Sequence, residues 1–364
     1  MQFGVLYEIQ VPRPWHEGSQ HEAFWQAIEQ IRVAEEAGFE YVWAVEHHFC
    51  DEFALSSAPE VWLAAAAQHT SRIRIGHGVV LLPFTYNHPI RVAERAATLD
   101  IVTNGRLEFG TGRSITLMEM EGFGIDPSVT RAQWDEALHM IPRMWMDEEF
   151  SWNSELITVP PRRVGPKPLQ QPHPPLWMAG TQPESVRIAA ARGLGFMHFS
   201  ILDQEGLGEK IAFYREAIKS ADPVGAFVND RFATLTLLFC GEDDEDAFER
   251  GGAGVEYYAN GSEGLYGATP RDGTEQSYKW YAELAAVRSK KTHRAKEMSA
   301  SSTACIGGPA TCRAAVDWYE AQGVDQLLLH VQSGTTRHED ILDSLRRFGR
   351  EVIQPRQAHA APAS

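Results

Sequence analysis

The sequence predicts an α/β protein, a (β/α)8 TIM barrel, and three observations support this fold class. First, the chain has 364 residues, which fits one barrel of about 250 residues with insertions. Second, short runs rich in β-branched and aromatic residues alternate with longer segments of helical periodicity, which indicates parallel strands joined by crossover helices. Third, eight such units follow one another along the chain, and eight is the number that closes this barrel.

The predicted elements follow a regular order. Strands are expected where β-branched and aromatic residues concentrate, at 2–7, 40–45, 73–80, 106–111, 175–180, 195–200, 232–240 and 325–331. Helices are expected where apolar residues recur at helical spacing, near 21–37, 57–70, 88–103, 130–146, 183–192, 204–221, 309–322 and 338–353. Gly38, Gly193 and Gly323 each come between a helical segment and the next strand, the position of a C-terminal glycine in the left-handed conformation.

Two insertions interrupt this repeat, after strands 4 and 7. Residues 148–174 are too rich in proline for a helix, and we expect a surface hairpin or another ordered excursion there. Residues 241–304 contain a glycine-rich run and then a polar, basic segment at 289–302. We expect this insertion to be a lid that is mobile without ligand, and the alternative is a contact with a neighbouring subunit. Residues 1–353 then form a single domain, and 354–364 form a disordered tail.

Composition excludes several classes of partner. Apolar residues make up 43% of the chain, and the formal net charge is −16, which repels nucleic acids and anionic membranes. The four cysteines form no C-x-x-C pair, which favours reduced thiols in a cytoplasmic protein. The amino end has no basic region before an apolar stretch, and no apolar run of 18 follows. We therefore expect neither secretion nor a membrane span.

Candidate functional residues come directly after the predicted strands, where ligands bind in this fold. They provide a carboxylate, two imidazoles, a fixed cation and small hydroxyl groups, and they are Glu46, His47, His48, Arg113, Thr181 and Ser185. Together these groups predict an anion-binding site with an acid/base group beside it. Arg131 begins a predicted helix, where its charge opposes the helix dipole. This placement also indicates an anionic partner.

Two other kinds of site are weaker interpretations. Gly110 and Gly112 begin a dinucleotide-binding pattern, but position 115 is Ile115 and no helix is predicted there, so the pattern fails. A metal-dependent hydrolase competes because five histidines fall on or beside strands, namely His47, His48, His77, His198 and His330. The first strand has no histidine, however, and adjacent side chains on an extended chain point in opposite directions. No metal site is therefore predicted.

Six motifs carry a family resemblance. They are AGFEYVWAVEHHF (37–49), RIRIGHGVVLLP (72–83), HPIRVAERAATLDIVTNGRLEFGTGRS (88–114), GFGIDPSVTRAQWDEAL (122–138), PLWMAGTQPESVRIAAARGLG (175–195) and GVDQLLLH (323–330). In this order they resemble the bacterial luciferase-like flavin-dependent monooxygenases, which are TIM barrels. The resemblance is weak over the insertion at 241–304, where specificity is expected to lie.

The resemblance implies a role for individual residues. His47 would lie beside the flavin ring as the acid/base group, with Glu46 on the same loop, and Glu119 matches an acidic position near the luciferase site. The implied phosphate ligands are Arg113, Arg131, Thr181 and Ser185. The implied ring contacts are Gly78, Val79, Met178, Ala179 and Gly180, with a cis peptide between the first two. Gly112 stands where luciferase has a reactive cysteine, and Gly180 replaces an acidic residue of luciferase.

The resemblance also implies a reaction and its partners. Reduced FMN (FMNH2), supplied by a separate NAD(P)H-dependent flavin reductase, would react with dioxygen and oxygenate a small organic substrate through a flavin hydroperoxide. Two alternatives stay open: a deazaflavin-dependent oxidoreductase that transfers hydride, and a flavin-binding protein without turnover. A homodimer is also expected, because Ala64–Ala67 provide small side chains on one predicted helix and allow close helix approach.

Overall fold

A closed barrel of eight parallel strands forms the centre of the molecule. The computed structural model describes residues 1–199, 205–266, 279, 294–302 and 304–360. The barrel strands are β1 (Gln2–Tyr7), β2 (Tyr41–Ala44), β3 (Arg74–His77), β4 (Leu107–Gly112), β5 (Leu176–Gly180), β6 (Gly195–Phe199), β7 (Phe232–Cys240) and β8 (Gln326–His330). Each pairs in parallel with its neighbours in sequence, and β8 pairs with β1 to close the ring. The predicted TIM barrel is confirmed.

Helices connect the strands around the outside of the barrel. They are α1 (Ser19–Ala37), α2 (Pro59–Ala67), α3 (Pro89–Val102), α4 (Thr130–Met146), α5 (Pro183–Ala191), α6 (Leu207–Ala217), α7 (Pro309–Ala321) and α8 (His338–Phe348). Four of them begin with proline, which suits the first turn because that turn has no intrahelical use for its N–H. Gly38, Gly193 and Gly323 have φ angles of 100°, 67° and 91°, so the predicted left-handed helix ends are confirmed.

Large side chains fill the inside of the barrel. Alternate residues of each strand point inward, and Leu6, Trp43, Trp177, Met197 and Leu328 belong to this inner cluster. The rings of Trp43 and Trp177 meet edge to face, with centroids 5.4 Å apart. Because side chains pack the middle of the barrel, a ligand has room only at its mouth, where the strands end.

The described parts of the two insertions form helices and strands. After β4 and α4, strands Phe150–Asn153 and Thr158–Arg162 form an antiparallel hairpin. After β7, a long helix (Asp244–Tyr266), which we call the insertion helix, leads towards a short helix (Ala295–Ala300) and a strand (Cys305–Gly307) that pairs with β7.

The structure describes residues 294–302 of the segment 289–302, for which mobility was expected, and they include a short helix. The Ala295–Ala300 helix buries Ala295 and Met298 against its surroundings, so these residues have an apolar anchor that the composition of the whole segment hides. The expected lid residues 267–278 and 280–293 lie outside the described residues.

Two further predictions need correction. Residues 354–364 were expected to be disordered, but Gln354–Ala360 form a helix whose Arg356 pairs with Asp317 on α7. A short helix at Leu117–Phe123 was not predicted at all. Within the described part of the chain, no helix is both long and apolar enough to span a membrane.

Candidate active site

A cavity opens at the carboxyl ends of the strands, and we call it the mouth cavity. It contains about 830 Å³ of empty space, part of it open to solvent. Eleven of the thirteen predicted site residues line it: Glu46, His47, Gly78, Val79, Gly112, Arg113, Arg131, Met178, Ala179, Gly180 and Thr181. Glu119 and Ser185 lie behind this lining, against His47 and Gly180 respectively.

One side of the mouth cavity holds cationic and hydroxyl groups. Arg113 follows β4, and Arg131 is the second residue of α4. Nη1 of Arg113 donates a hydrogen bond to Oγ1 of Thr130 at 3.5 Å, which ties the end of the strand to the start of the helix. Thr181, which directly follows β5, is buried in the same lining. Two guanidinium groups beside a hydroxyl and a helix start form a suitable site for a phosphate group.

On the other side, His47 forms a pair with Glu119. Nδ1 of His47 donates to Oε1 of Glu119 at 3.1 Å, and this leaves Nε2 as the ring nitrogen available on the cavity side. The Glu119 carboxylate is fully buried and also accepts from the His48 amide at 2.6 Å, from the Ser114 hydroxyl at 3.3 Å and from the Thr116 hydroxyl. The pair is therefore held in one orientation by several elements.

The negative charge of Glu119 favours the protonated form of the His47 imidazole. Burial acts to lower the pKa of His47, but the Glu119 carboxylate, with its hydrogen bond, raises that pKa above its ordinary value. Burial likewise acts to raise the pKa of Glu119, but His47 and the hydrogen bonds from Thr116 and His48 lower it below its ordinary value. His47 can consequently hold a proton at Nε2 and deliver it to a bound molecule.

Glu46 lines the cavity beside His47 and accepts several hydrogen bonds. Its Oε2 accepts from the Leu81 amide at 2.7 Å, and its Oε1 accepts from Nδ2 of Asn87 at 2.8 Å and from Nε2 of His48 at 3.3 Å. These bonds tie the loop after β2 to the loop after β3. Glu46 therefore acts through the position of its neighbours.

Glycines let the backbone approach the cavity closely. The Gly78–Val79 peptide is cis, as the resemblance predicted. A Cβ at Gly112 would lie 2.6 Å from Cγ2 of Val79, and one at Gly180 would lie 2.5 Å from Cβ of Ser185. This crowding explains why position 112 has no cysteine side chain and position 180 has no acidic side chain in this protein.

The lining includes residues that sequence reasoning missed. Trp134 lies three residues after Arg131 on the same face of α4, and its Nε1 donates to Oγ1 of Thr111 at 3.2 Å. Phe199 lies two residues after the inward-pointing Met197 on β6, so strand alternation gives its direction. The other missed lining residues are Val45, Leu81, Ser114 and Ile115. For Trp134 and Phe199, helix and strand periodicity could have predicted a place in the cavity lining.

The histidines that suggested a metal site are dispersed. His77 packs edge to face on Phe109, His198 packs on Phe232, and His330 packs on Tyr258. In the described ranges, no group of three or more His, Cys, Asp or Glu side chains has an arrangement that could hold a metal ion.

Fold and site together define a class of protein. The barrel mouth combines two arginines, an apolar wall and a histidine–glutamate pair, and these groups are suited to an anionic organic ligand. The chain belongs to the luciferase-like monooxygenase family, whose model matches residues 1–326.

Two relatives show the level of similarity. The 4-hydroxyprotoasukamycin monooxygenase of Streptomyces nodosus subsp. asukaensis is 30% identical over 278 residues, which are 73% of this chain and 72% of that protein. The oxygenase component of the flavin-dependent trigonelline monooxygenase of Acinetobacter baylyi is 32% identical over 195 residues, which are 53% of this chain and 52% of that protein.

Solved structures share the fold. Monooxygenase RslO1 from Streptomyces bottropensis superimposes with a TM-score of 0.80 at 27% identity, covering 99% of this chain and 100% of that one. The oxygenating constituent of 3,6-diketocamphane monooxygenase from Pseudomonas putida, in complex with FMN, superimposes with a TM-score of 0.76 at 21% identity. The match covers 97% of this chain and 98% of that one. A coenzyme F420-dependent reductase from Methanopyrus kandleri superimposes with a TM-score of 0.67 at 17% identity. The match covers 97% of this chain and 98% of that one.

Proposed function

We propose that this protein is a monooxygenase that uses reduced FMN and dioxygen to oxygenate a small organic substrate. The observation that carries the proposal is that the mouth cavity combines the arginine pair Arg113 and Arg131 with the ring of His47, which is backed by Glu119. Reduced FMN supplies the electrons that activate dioxygen when it is bound. The names of the trigonelline and diketocamphane proteins, which are flavin-dependent or hold FMN, support the choice of cofactor.

The residues present fit such a cofactor. Arg113, Arg131 and Thr181 would hold the phosphate, and Ser185 lies beside them behind Gly180. The backbone of Gly78 and Val79 on one side, and Met178, Ala179 and Gly180 on the other, provide flat apolar surfaces for a ring system. Gly112 lets Val79 keep its place in the lining, because a Cβ at position 112 would lie 2.6 Å from Cγ2 of Val79.

The chain itself would hold and move one proton. His47 keeps a proton at Nε2 because Glu119 stabilises the imidazolium, and it is the acid/base group that faces the reacting molecules. Glu119 and Glu46 are positioning residues: the first orients His47, and the second fixes the loop that carries it. The apolar wall, which includes Trp134 and Phe199, limits the access of water to the site.

Anaerobic titration tests the proposal. Reduced FMN and reduced F420 are each added to the protein without oxygen, and the complex is then mixed with oxygenated buffer and followed by stopped-flow absorbance. We expect tight binding of reduced FMN, followed by a reaction with oxygen that a substrate panel converts into oxygenated product. Preference for F420 with no oxygen reaction would favour the hydride-transfer alternative. Tight binding of FMN with no turnover on any substrate would favour a binding protein.

The proposal extends to partners and location. A separate NAD(P)H-dependent flavin reductase would supply reduced FMN, as the oxygenase-component name of the trigonelline relative suggests, and the reaction would take place in the cytoplasm. We also propose a homodimer through α2 and α3, because Val61 and Val102 expose apolar side chains there beside the small residue Ala64. Light scattering that shows a monomer at all concentrations would reject the dimer.

A further inference from the structure

A second group of buried polar residues lies on the opposite side of the barrel mouth from the arginines. Glu8 directly follows β1 and lies two residues after the inward-pointing Leu6, so strand alternation directs it into the mouth. His330 ends β8, the neighbouring strand, and pairs in register with Leu6. Both side chains are fully buried. β1 also pairs with β2, and His47, in the loop after β2, lies within electrostatic reach of Glu8.

The insertion helix covers this group. Tyr258 donates its hydroxyl hydrogen to Oε1 of Glu8 at 2.8 Å, and its ring centroid lies 4.1 Å from that of His330. Gly254 allows the close approach, because a Cβ there would lie 2.2 Å from the carbonyl oxygen of Ser333. The family resemblance is weakest over this insertion, so this wall of the mouth belongs to the part of the chain where specificity is expected.

Several polar atoms in this group have no partner. Nδ1 of His330 is hydrogen-bonded to the Ser333 hydroxyl at 2.9 Å, and Oε1 of Gln10 accepts from the Gly334 amide at 2.7 Å. Among the described residues, no partner is found for Oε2 of Glu8, Nε2 of His330 or Nε2 of Gln10. A buried polar atom without a partner is costly, so these three atoms after β1 and at the end of β8 are candidates for contacts with a ligand.

The chemistry of these atoms defines that partner. Burial raises the pKa of Glu8 to about 7, against the opposing effects of His47 and the Tyr258 hydrogen bond, so near neutral pH Glu8 can donate as well as accept. The amide of Gln10 donates, and the imidazole of His330 can do either. Glu46 and Glu119 also lie within electrostatic reach of His47. These carboxylates disfavour an anion, and protonated His47 disfavours a cation, so a neutral oxygen-bearing group fits best.

We propose that Glu8, Gln10 and His330 bind a ketone or alcohol oxygen of the organic substrate and so hold its carbon skeleton over the mouth cavity beside His47. The proposal rests on the proposed function, because it assigns the substrate side of the same site. Tyr258 is a positioning residue in this arrangement: it holds one oxygen of Glu8 and leaves the other for the ligand.

Matched small probes test this assignment. Cyclohexanone, cyclohexanol and methylcyclohexane have similar size, and only the first two carry oxygen. Calorimetric titration of each into the protein loaded with oxidised FMN should show at least about tenfold tighter binding of the two oxygenated probes. Glu8→Leu should abolish this preference, and Glu8→Gln should keep most of it. Tyr7→Phe is the matched control, since Tyr7 is a buried neighbour on β1 whose hydroxyl also lacks a partner in the described structure but belongs to the outer packing.

The remaining outcomes are also decisive. If Glu8→Leu does not fold by circular dichroism, His330→Phe replaces it, because it keeps a ring against Tyr258 and removes both nitrogens. Equal affinity for all three probes, no saturable binding of the oxygenated probes, or an unchanged preference in the folded variant would overturn the assignment and leave the FMN reaction intact. Failure of FMN to bind would instead overturn the proposed function, and a preference for oxygenated probes in the flavin-free protein would still support this binding site.

Discussion

Replacing Arg113 with alanine should separate phosphate binding from ring binding. Arg113 lines the mouth cavity beside Arg131, and a charge-assisted hydrogen bond of this kind contributes about 1.5–3 kcal/mol. Since each 1.4 kcal/mol changes the dissociation constant by a factor of about ten, FMN should bind about 10- to 150-fold more weakly to Arg113→Ala. Riboflavin has the same ring without the phosphate, so its affinity should change by less than about twofold. Fluorescence titration of both oxidised flavins measures the two affinities.

The control for this experiment is an arginine outside the site. Arg350 is exposed near the C-terminal end and pairs with the adjacent Glu351, so Arg350→Ala should leave both affinities unchanged. Equal weakening of FMN and riboflavin by Arg113→Ala would show that Arg113 supports the cavity wall through its bond to Thr130. Unchanged FMN affinity would refute the phosphate assignment altogether.

Four further variants test other parts of the structure. His47→Ala should keep FMN affinity within about threefold and lower product formation by about two to four orders of magnitude; equal turnover of variant and wild type would refute its acid/base role. Glu119→Gln should lower the pKa of His47, because the charge that raises it is removed and burial then dominates; imidazole titration by NMR measures this, and an unchanged or higher pKa would contradict the pairing. Gly112→Cys should weaken FMN binding at least about tenfold, because its Cβ meets Val79, and adding Val79→Ala should restore binding; no rescue would mean that the crowding lies elsewhere. Met298→Ala should lower the free energy of unfolding by about 2–5 kcal/mol in urea titration, because the side chain is buried; no loss would indicate that its helix is loosely attached.

Most of the arginine side of the mouth cavity could be predicted because it depends on local sequence. Barrel closure brings every strand end to one mouth, so a residue such as Arg113 or Thr181 needs only its place after a strand to be assigned there. Glu119 is different, because no helix was predicted around it. Its contact with His47 depends on the Leu117–Phe123 helix, and only the family resemblance pointed to this residue.

The other side of the mouth could not be predicted because it depends on tertiary contacts. The insertion helix contains glycines that weaken helices in isolation, and its sequence therefore reads as an irregular insertion. Gly251 packs against Phe239, and Gly254 packs against Ser333, so in the folded protein the same residues allow close packing. Tyr258 reaches Glu8 from 250 positions away, which no local pattern indicates. The helix at Gln354–Ala360 was missed for the same reason, since Arg356 is held by α7.

The three carboxyl groups around His47 differ in how many donors surround them, and this difference assigns their charge. In the described part of the chain, Glu119 accepts four hydrogen bonds and Glu46 accepts three. A buried carboxylate remains ionised when donors replace its lost hydration, and the pKa of Glu119 is indeed below its ordinary value. Glu8 accepts one bond, from Tyr258, and burial raises its pKa to about 7. His47 consequently has an ionised partner at Nδ1, behind the cavity lining, and a second carboxyl group within electrostatic reach that can be neutral. A neutral carboxyl group can bind a ketone or alcohol beside the imidazolium without adding another charge to a site that excludes water.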